Sequence, residues 1–225
     1  SHELRSPLTA MRGELELALR RDRDSEEYVR VLESTLEEVL RLSTITEDLL
    51  TLARSDAGAM RPRLEIADAT EVVSGVVERL RAKADEKEID LIFTAQPGLT
   101  GMIDSGLLGQ AAWNLVDNAL KFTPLGGNVA VEMRESGASL MLSVEDSGPG
   151  LGSVDPSTFF ERFYRADSAR THGPEGGGSG LGLAIVKAVA EAHDGSASAE
   201  NRPQGGARFV LSLPSTPPER RGDDS

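Results

Sequence analysis

Gly176-Gly-Gly-Ser-Gly-Leu-Gly-Leu183 runs straight into the apolar segment Ala184-Ile-Val-Lys-Ala-Val-Ala-Glu-Ala192. A glycine-rich turn that opens a helix presents unpaired backbone N–H groups, and such a helix start can hold phosphate. No Lys-Ser or Lys-Thr follows the glycines, so the turn is not a Walker loop. Taken alone it is weak evidence, because loops use glycine freely. Four further segments lie upstream of it. They are Phe160-Glu-Arg162-Phe163-Tyr-Arg165, Asp146-Ser-Gly148-Pro-Gly150, Asn114-Leu-Val-Asp-Asn118-Ala-Leu-Lys121, and Ser1-His2-Glu3-Leu4-Arg5-Ser6-Pro7-Leu8.

The remainder of the chain sets bounds on what these segments do. A length of 225 residues allows one large or two modest domains, and 39% hydrophobic with 27% charged residues is an ordinary globular balance. Aromatics make up only 4%, so Leu, Val, Ile and Ala must build the core. A formal charge of −13 argues against a nucleic-acid partner, since few cations are left over to neutralise phosphates. The absence of cysteine excludes disulfides, thiolate metal sites and thiol catalysis. No apolar run approaches the roughly 18 residues that read as a membrane span.

Periodicity divides the chain in two. Leu4, Leu8, Met11, Leu15 and Leu19 recur at helical spacing, as do Val29, Leu32, Leu36 and Val39, then Leu42, Ile45, Leu49 and Leu52. Residues 1–54 therefore read as a helical hairpin with its loop at 20–25, and Asp24 with Glu27 matches a capping box. The apolar stripe is broader than one antiparallel helix would cover, which predicts a four-helix bundle built by two copies, a homodimer. Residues 55–61 read as a linker. Beyond it, strands are expected at 63–66, 90–95, 101–104, 128–134, 140–145, 196–200 and 207–213, and helices at 70–86, 107–122 and 181–192. This mixed, non-alternating order predicts an α+β two-layer sandwich over 62–213. Residues 151–177 read as a mobile loop, and 214–225, rich in Pro and charge, as a disordered tail.

In this order the five segments resemble the catalytic core of the bacterial sensor histidine kinases, over nearly the whole chain from Ser1 to about Leu213. Ala53-Arg-Ser-Asp-Ala-Gly58 and Gly13-Glu-Leu-Glu16 look similar to the heavy-metal sensor branch of that family. The resemblance implies a dimerisation and phosphoacceptor hairpin followed by an ATP-binding domain of the fold shared with gyrase, Hsp90 and MutL. It also implies autophosphorylation with ATP and Mg²⁺, then transfer to an aspartate of a response-regulator receiver domain. The parent protein would continue the first helix upstream toward a membrane segment, making this chain the cytoplasmic portion of an inner-membrane sensor.

Residue roles follow from the resemblance and from the chemistry of each side chain. His2 is the expected nucleophile, with Glu3 orienting the imidazole and taking its proton. Ser6, three residues after Glu3, stands where similar kinases place a water-positioning residue for dephosphorylating the regulator; a small residue before a proline explains it equally well. Pro7 lacks an N–H and leaves the Glu3 carbonyl without its helical partner, which should loosen the first turn. Asn114 and Asn118 share one helical face. The resemblance makes Asn118 the Mg²⁺ ligand, Asn114 a polar partner of phosphates and water, and Lys121 a phosphate contact, while Phe122 stands where the family often has tyrosine. Asp146 is expected to accept from the adenine amine, with Gly148 and Gly150 admitting the flat base, although a tight turn alone would account for Asp-x-Gly. Gly178, Ser179, Gly180, Leu181 and Gly182 are the expected phosphate-facing turn. Phe160 and Phe163 would anchor the loop while Arg165 or Arg162 neutralises charge on the γ-phosphate. His172 reads as a solvated loop residue, His193 as a helix end beside Gly195, and Trp113 as core packing. An ATPase of the same fold is the main rival. It would place a carboxylate base where Asn114 stands, and it has no use for His2, Glu3 and Pro7.

Overall fold

The computed structural model describes residues 2–20, 24–165 and 179–216, with side chains of the first helix from Pro7 onward. The chain forms two compact units, Ser1–Ala53 and Arg54–Ser225.

The first unit is the expected hairpin. Helix α1 spans His2–Leu19 and continues through Pro7, and α2 spans Ser25–Asp56, two residues beyond the expected boundary and into the expected linker. Asp24 Oδ1 accepts from Glu27 N at 2.7 Å, which fixes the start of α2. Ser34 Oγ donates to Glu14 Oε2 at 3.1 Å across the hairpin and fixes its register. Met11, Ala18 and Ile45 are buried, but Leu32, Leu36 and Val39 stay 62%, 58% and 45% exposed. The apolar stripe is thus wider than the hairpin itself covers.

Asp48 is buried on α2 among apolar positions. Burial first, and the Glu47 charge second, push its carboxyl up from 3.8 to about 6. The folded chain therefore binds this proton more tightly than the unfolded one. Its contribution to stability is full below pH 3.8 and is lost as pH rises to about 6. Asp48→Asn is expected to stabilise the fold at pH 7.5 by about 1–3 kcal/mol and to change nothing near pH 3.5. Thermal melts at the two pH values check this, and an equal gain at both would contradict it.

The second unit is a two-layer α+β sandwich. Its strands β2 (Asp90–Ala95), β4 (Asn128–Ser136), β5 (Ser139–Asp146), β6 (Ser196–Asn201) and β7 (Ala207–Pro214) form one sheet in the order β2-β4-β5-β7-β6. Only β2 and β4 run parallel; the other pairs are antiparallel. A two-stranded sheet joins β1 (Glu65–Asp68) to β3 (Thr100–Ile103). Helices α3 (Ala69–Glu86), α4 (Ser105–Phe122) and α5 (Gly182–Ala192) cover one face of the large sheet, with α4 in the middle. Their buried Val, Leu, Ile and Ala meet Val129, Val131, Leu142, Val144 and Leu211 of the sheet.

Four expectations need correction. Strand β1 lies two residues later than 63–66, because β3 supplies partners only for Glu65 to Asp68 and the Arg63 N–H is given instead to Asp104 Oδ2 at 2.8 Å. The segment 151–165 is not an unstructured loop: Leu151 and Phe160 are buried, and a 3₁₀ turn occupies Pro156–Phe160. The tail does not begin at 214, since Pro214 pairs with Ser139 and Ser215 bonds to both Ala138 and Met102. Trp113 is not core: it is 39% exposed, with the Arg79 guanidinium 5.5 Å above its ring. Residues 166–178, which include His172 and Gly178, and residues 217–225 lie outside the described residues.

Candidate functional site

Helix α4 carries the two asparagines. Asp104 caps its start by accepting from Leu107 N at 3.0 Å. Leu108, Ala111, Ala112, Leu115, Val116 and Ala119 face the core, and this turns Asn114 and Asn118 to the half-buried side. Asn114 Nδ2 donates to Gln110 O at 3.0 Å, and its Oδ1 lies against the first residue of α5. A Cβ on Gly182 would fall 2.7 Å from that oxygen, so the glycine turn and the asparagine helix meet only because residue 182 has no side chain. The Asn118 amide has no hydrogen-bond partner among the described residues. Lys121 Nζ sits 5.9 Å from the centre of the Phe122 ring, which is 37% exposed.

Both ends of α4 are held by residues that sequence reasoning missed. Lys87 Nζ donates to Leu120 O at 2.9 Å and to Lys121 O at 3.2 Å, satisfying carbonyls the helix end would leave open. Burial, then the Lys83 charge, lowers the Lys87 pKa. At the other end His193, read only as a helix terminus, is buried and bridges two helices. Its Nε2 accepts from Asp104 N at 3.1 Å while Nδ1 lies 2.8 Å from Val189 O, a pairing that fits the neutral ring protonated at Nδ1.

Asp146 closes β5 and is 3% exposed. Its Oδ1 accepts from Gly148 N at 2.8 Å and Ala207 N at 3.2 Å, and Oδ2 has no donor among the described residues. Burial raises its pKa, while the two backbone donors and the Arg202 charge oppose that rise. Gly148 has no room for a side chain, since a Cβ there would lie 2.7 Å from Phe122 O. Asn201, also missed, pins the chain after Gly150: its Oδ1 accepts from Leu151 N at 2.7 Å and its Nδ2 donates to Gly152 O at 2.9 Å.

Past Asp155, which caps the 3₁₀ turn, Phe160 packs edge-on against Phe209 with centres 6.4 Å apart, and Phe159 meets Tyr164 at 5.2 Å. Phe160 is the expected anchor. Phe163 is not: it is 49% exposed, in the left-handed region with φ 61°, and contributes its N–H to Gly180 O at 2.9 Å. That bond joins the arginine segment to the glycine turn. Arg162 is engaged by Asp56, Nη1 to Oδ2 at 2.5 Å and Nη2 to Oδ1, a bidentate pair that holds the Asp56 carboxyl below its usual range. Arg165 is half-buried. Leu181 is fully buried and gives its N–H to Ser179 Oγ at 3.3 Å, so its side chain packs in the core while the turn's other groups remain outside. His2, Glu3 and Ser6 lie in the first turns of α1, and their side chains are outside the described residues.

The residues that fit Mg²⁺ are few. Among the described residues no group of three or more His, Cys, Asp or Glu could hold a metal. A single amide oxygen such as that of Asn118 suits an ion that takes its remaining ligands from phosphate and water.

Residues 103–217 match the family described as histidine kinase-, DNA gyrase B-, and HSP90-like ATPase. Residues 1–58 match the His Kinase A (phospho-acceptor) domain. The chain is 37% identical over 225 residues to the sensor-like histidine kinase SenX3 of Mycolicibacterium smegmatis, covering 100% of this chain and 58% of that protein. It thus spans about half the length of the curated relatives it matches. Among solved structures, the mycobacterial sensor histidine kinase MprB is 33% identical with a TM-score of 0.59, covering 69% of this chain and 99% of that one. The Acinetobacter baumannii histidine kinase AdeS, at 24% identity, shares the fold with a TM-score of 0.77 over 96% of this chain and 98% of that one.

Proposed function

The chain belongs to the bacterial sensor histidine kinases, whose catalytic core it makes up, and we propose that it transfers the γ-phosphoryl group of ATP to His2 and then to an aspartate of a response regulator. The observation that carries this reading is the meeting of Asn114 with Gly182, which sets a polar amide beside a glycine-led helix start. Asp146, with Oδ1 already satisfied by two backbone donors, has Oδ2 left to accept from the exocyclic amine of adenine. Lys121 and the N–H groups at the start of α5 would face the phosphates, and Asn118 would hold Mg²⁺, which when bound would neutralise phosphate charge.

In the transfer itself an imidazole nitrogen of His2 forms the N–P bond as the bond from the γ-phosphorus to the ADP oxygen breaks. The imidazole proton passes to Glu3, and ADP leaves with the bonding electron pair. Arg165 or Arg162 meets the charge developing on the transferred group. In the second transfer a carboxylate oxygen of the regulator's aspartate bonds to phosphorus as the N–P bond breaks, Glu3 returns the proton and neutral His2 is regenerated; Ser6 positions water for dephosphorylating the regulator. A solved relative, the histidine kinase ThkA, is in complex with the response regulator protein TrrA. The exposed Leu32, Leu36 and Val39 stripe supports a second copy of the hairpin as the partner that completes a four-helix bundle. No helix among the described residues is long and apolar enough to cross a membrane. A cytoplasmic portion of a membrane sensor, with no nucleic-acid partner, fits the charge and the relatives.

Adenine recognition gives the direct test. Asp146→Ala is expected to remove a hydrogen bond to a charged group, about 1.5–3 kcal/mol, weakening ATP binding roughly 10- to 150-fold and bringing it close to GTP. Calorimetric titration of both nucleotides measures this. Equal ATP and GTP affinity in the unmodified protein would refute the assignment.

A further inference from the structure

The turn between β6 and β7 is built around Asp146, and nothing in the phosphoryl-transfer chemistry above uses it. Arg202 opens the turn: its N–H donates to Gly206 O at 3.0 Å, and its carbonyl accepts from Gly205 N at 3.0 Å. Its guanidinium reaches across the sheet end, Nη1 donating to the Asp146 carbonyl at 2.6 Å and Nε lying 3.0 Å from Glu145 Oε2. The side chain is only 20% exposed. At the far end of the turn Gly206 has φ 88°, and a Cβ there would lie 1.9 Å from the Asp146 carbonyl oxygen. The next residue, Ala207, gives its N–H to Asp146 Oδ1. The turn and the first residue of β7 therefore grip Asp146 at both its backbone and its side chain.

We propose that Arg202 is a positioning residue for nucleotide recognition: it clamps the β6–β7 turn onto Asp146 and supplies the positive charge that this buried carboxylate otherwise lacks. The inference rests on the reading of Asp146 as the acceptor for adenine. The charged groups facing Asp146 are few. Glu145 is its neighbour in β5, Arg202 comes from the turn, and Arg208 of β7 lies 3.4 Å from Glu145. Arg202 divides its charge between Glu145 and the Asp146 segment, and it opposes the upward pull of burial on the Asp146 carboxyl. Loss of Arg202 removes that support and leaves Glu145 with Arg208 alone, so both effects favour protonation of Asp146. A protonated acid is a poorer acceptor for the adenine amine, and binding then costs the removal of the proton. The prediction has a defined sign: without Arg202, nucleotide affinity falls as pH is lowered, earlier than in the unmodified chain.

The experiment titrates the full chain with ADP at pH 6.0, 7.0 and 8.5, using unmodified protein, Arg202→Gln, Arg202→Lys and Asp146→Asn. Each protein's melting temperature is recorded to separate folding from binding. Arg202→Gln is expected to bind near normally at pH 8.5 and at least ~3-fold more weakly, relative to the unmodified chain, at pH 6.0. Arg202→Lys keeps the charge and should restore most of the loss. The ionisation of ADP itself is common to all four proteins and cancels in the ratios. A pH-independent loss in Arg202→Gln, or one that Arg202→Lys does not relieve, would reduce the residue to a structural strut and overturn the proposal. An unchanged pH profile in Arg202→Gln alongside weakened binding in Asp146→Asn would overturn it while leaving the adenine reading intact. Normal binding by Asp146→Asn would remove the reading on which it stands.

Discussion

His2→Gln is expected to abolish incorporation of label from [γ-³²P]ATP while leaving ATP affinity unchanged. In the proposed transfer the phosphoramidate forms on the His2 imidazole, and the nucleotide is held by a different unit of the chain, so chemistry and binding should separate cleanly. The label on the unmodified protein should survive base and vanish in acid, which distinguishes N–P from the acid-stable esters of Ser and Thr. Glutamine keeps the bulk and polarity of the position without a nucleophilic nitrogen, and it is a good helix former. The expected loss is complete. Label that persists in His2→Gln, or that resists acid, would place the phosphoryl group elsewhere and overturn the assignment.

Gly182→Ala is expected to weaken ATP binding at least ~10-fold with little change in melting temperature. Helix propensity alone points the other way, since alanine in place of glycine within a helix is favoured by about 1 kcal/mol. The local contact decides against it, because the added Cβ would lie 2.7 Å from Asn114 Oδ1. That oxygen terminates a side chain, so Asn114 swings aside and the fold is spared, while the amide loses its place beside the helix start. The effect should therefore be shared with Asn114→Ala: the double variant should bind no worse than the weaker single one, a coupling that a double-mutant cycle reads directly. Additive losses would mean that the two residues act independently.

Much of this arrangement was legible in the sequence, for identifiable reasons. The helices at 70–86, 107–122 and 181–192 advertise themselves through 3.6-residue periodicity and through cap residues, as with Asp104 before α4. Strand β2 shows both its ends in the sequence because it alternates cleanly. Strand β1 was displaced because its limits come from its partner, and nothing local marks where β3 begins. The segment after Gly150 read as loop because the groups that order it, Asn201 and Phe209, are distant in sequence. The same limit hid Lys87, His193 and Arg202. Each acts through one or two hydrogen bonds to backbone 33 or more residues away, and a lone basic residue carries no periodic signature. Trp113 shows the converse: a large apolar ring predicts core, but the Arg79 guanidinium covers its face at the surface.

The position of β7 has a consequence for how the protein is made. Although it is the last strand among the described residues, it lies inside the sheet and pairs with β5 on one side and β6 on the other. A ribosome that has released everything up to Asn201 has thus delivered α4, Asp146 and α5, but β5 still presents an open edge lined by Leu140, Leu142 and Val144. Such an edge is a template for pairing with other chains. The nucleotide-binding unit cannot close progressively during synthesis; it must wait for Pro214 to clear the exit tunnel and then fold in one step. Nascent chains stalled between residues 201 and 214 should be protease-sensitive and dependent on chaperones, and resistance should appear abruptly once β7 is free.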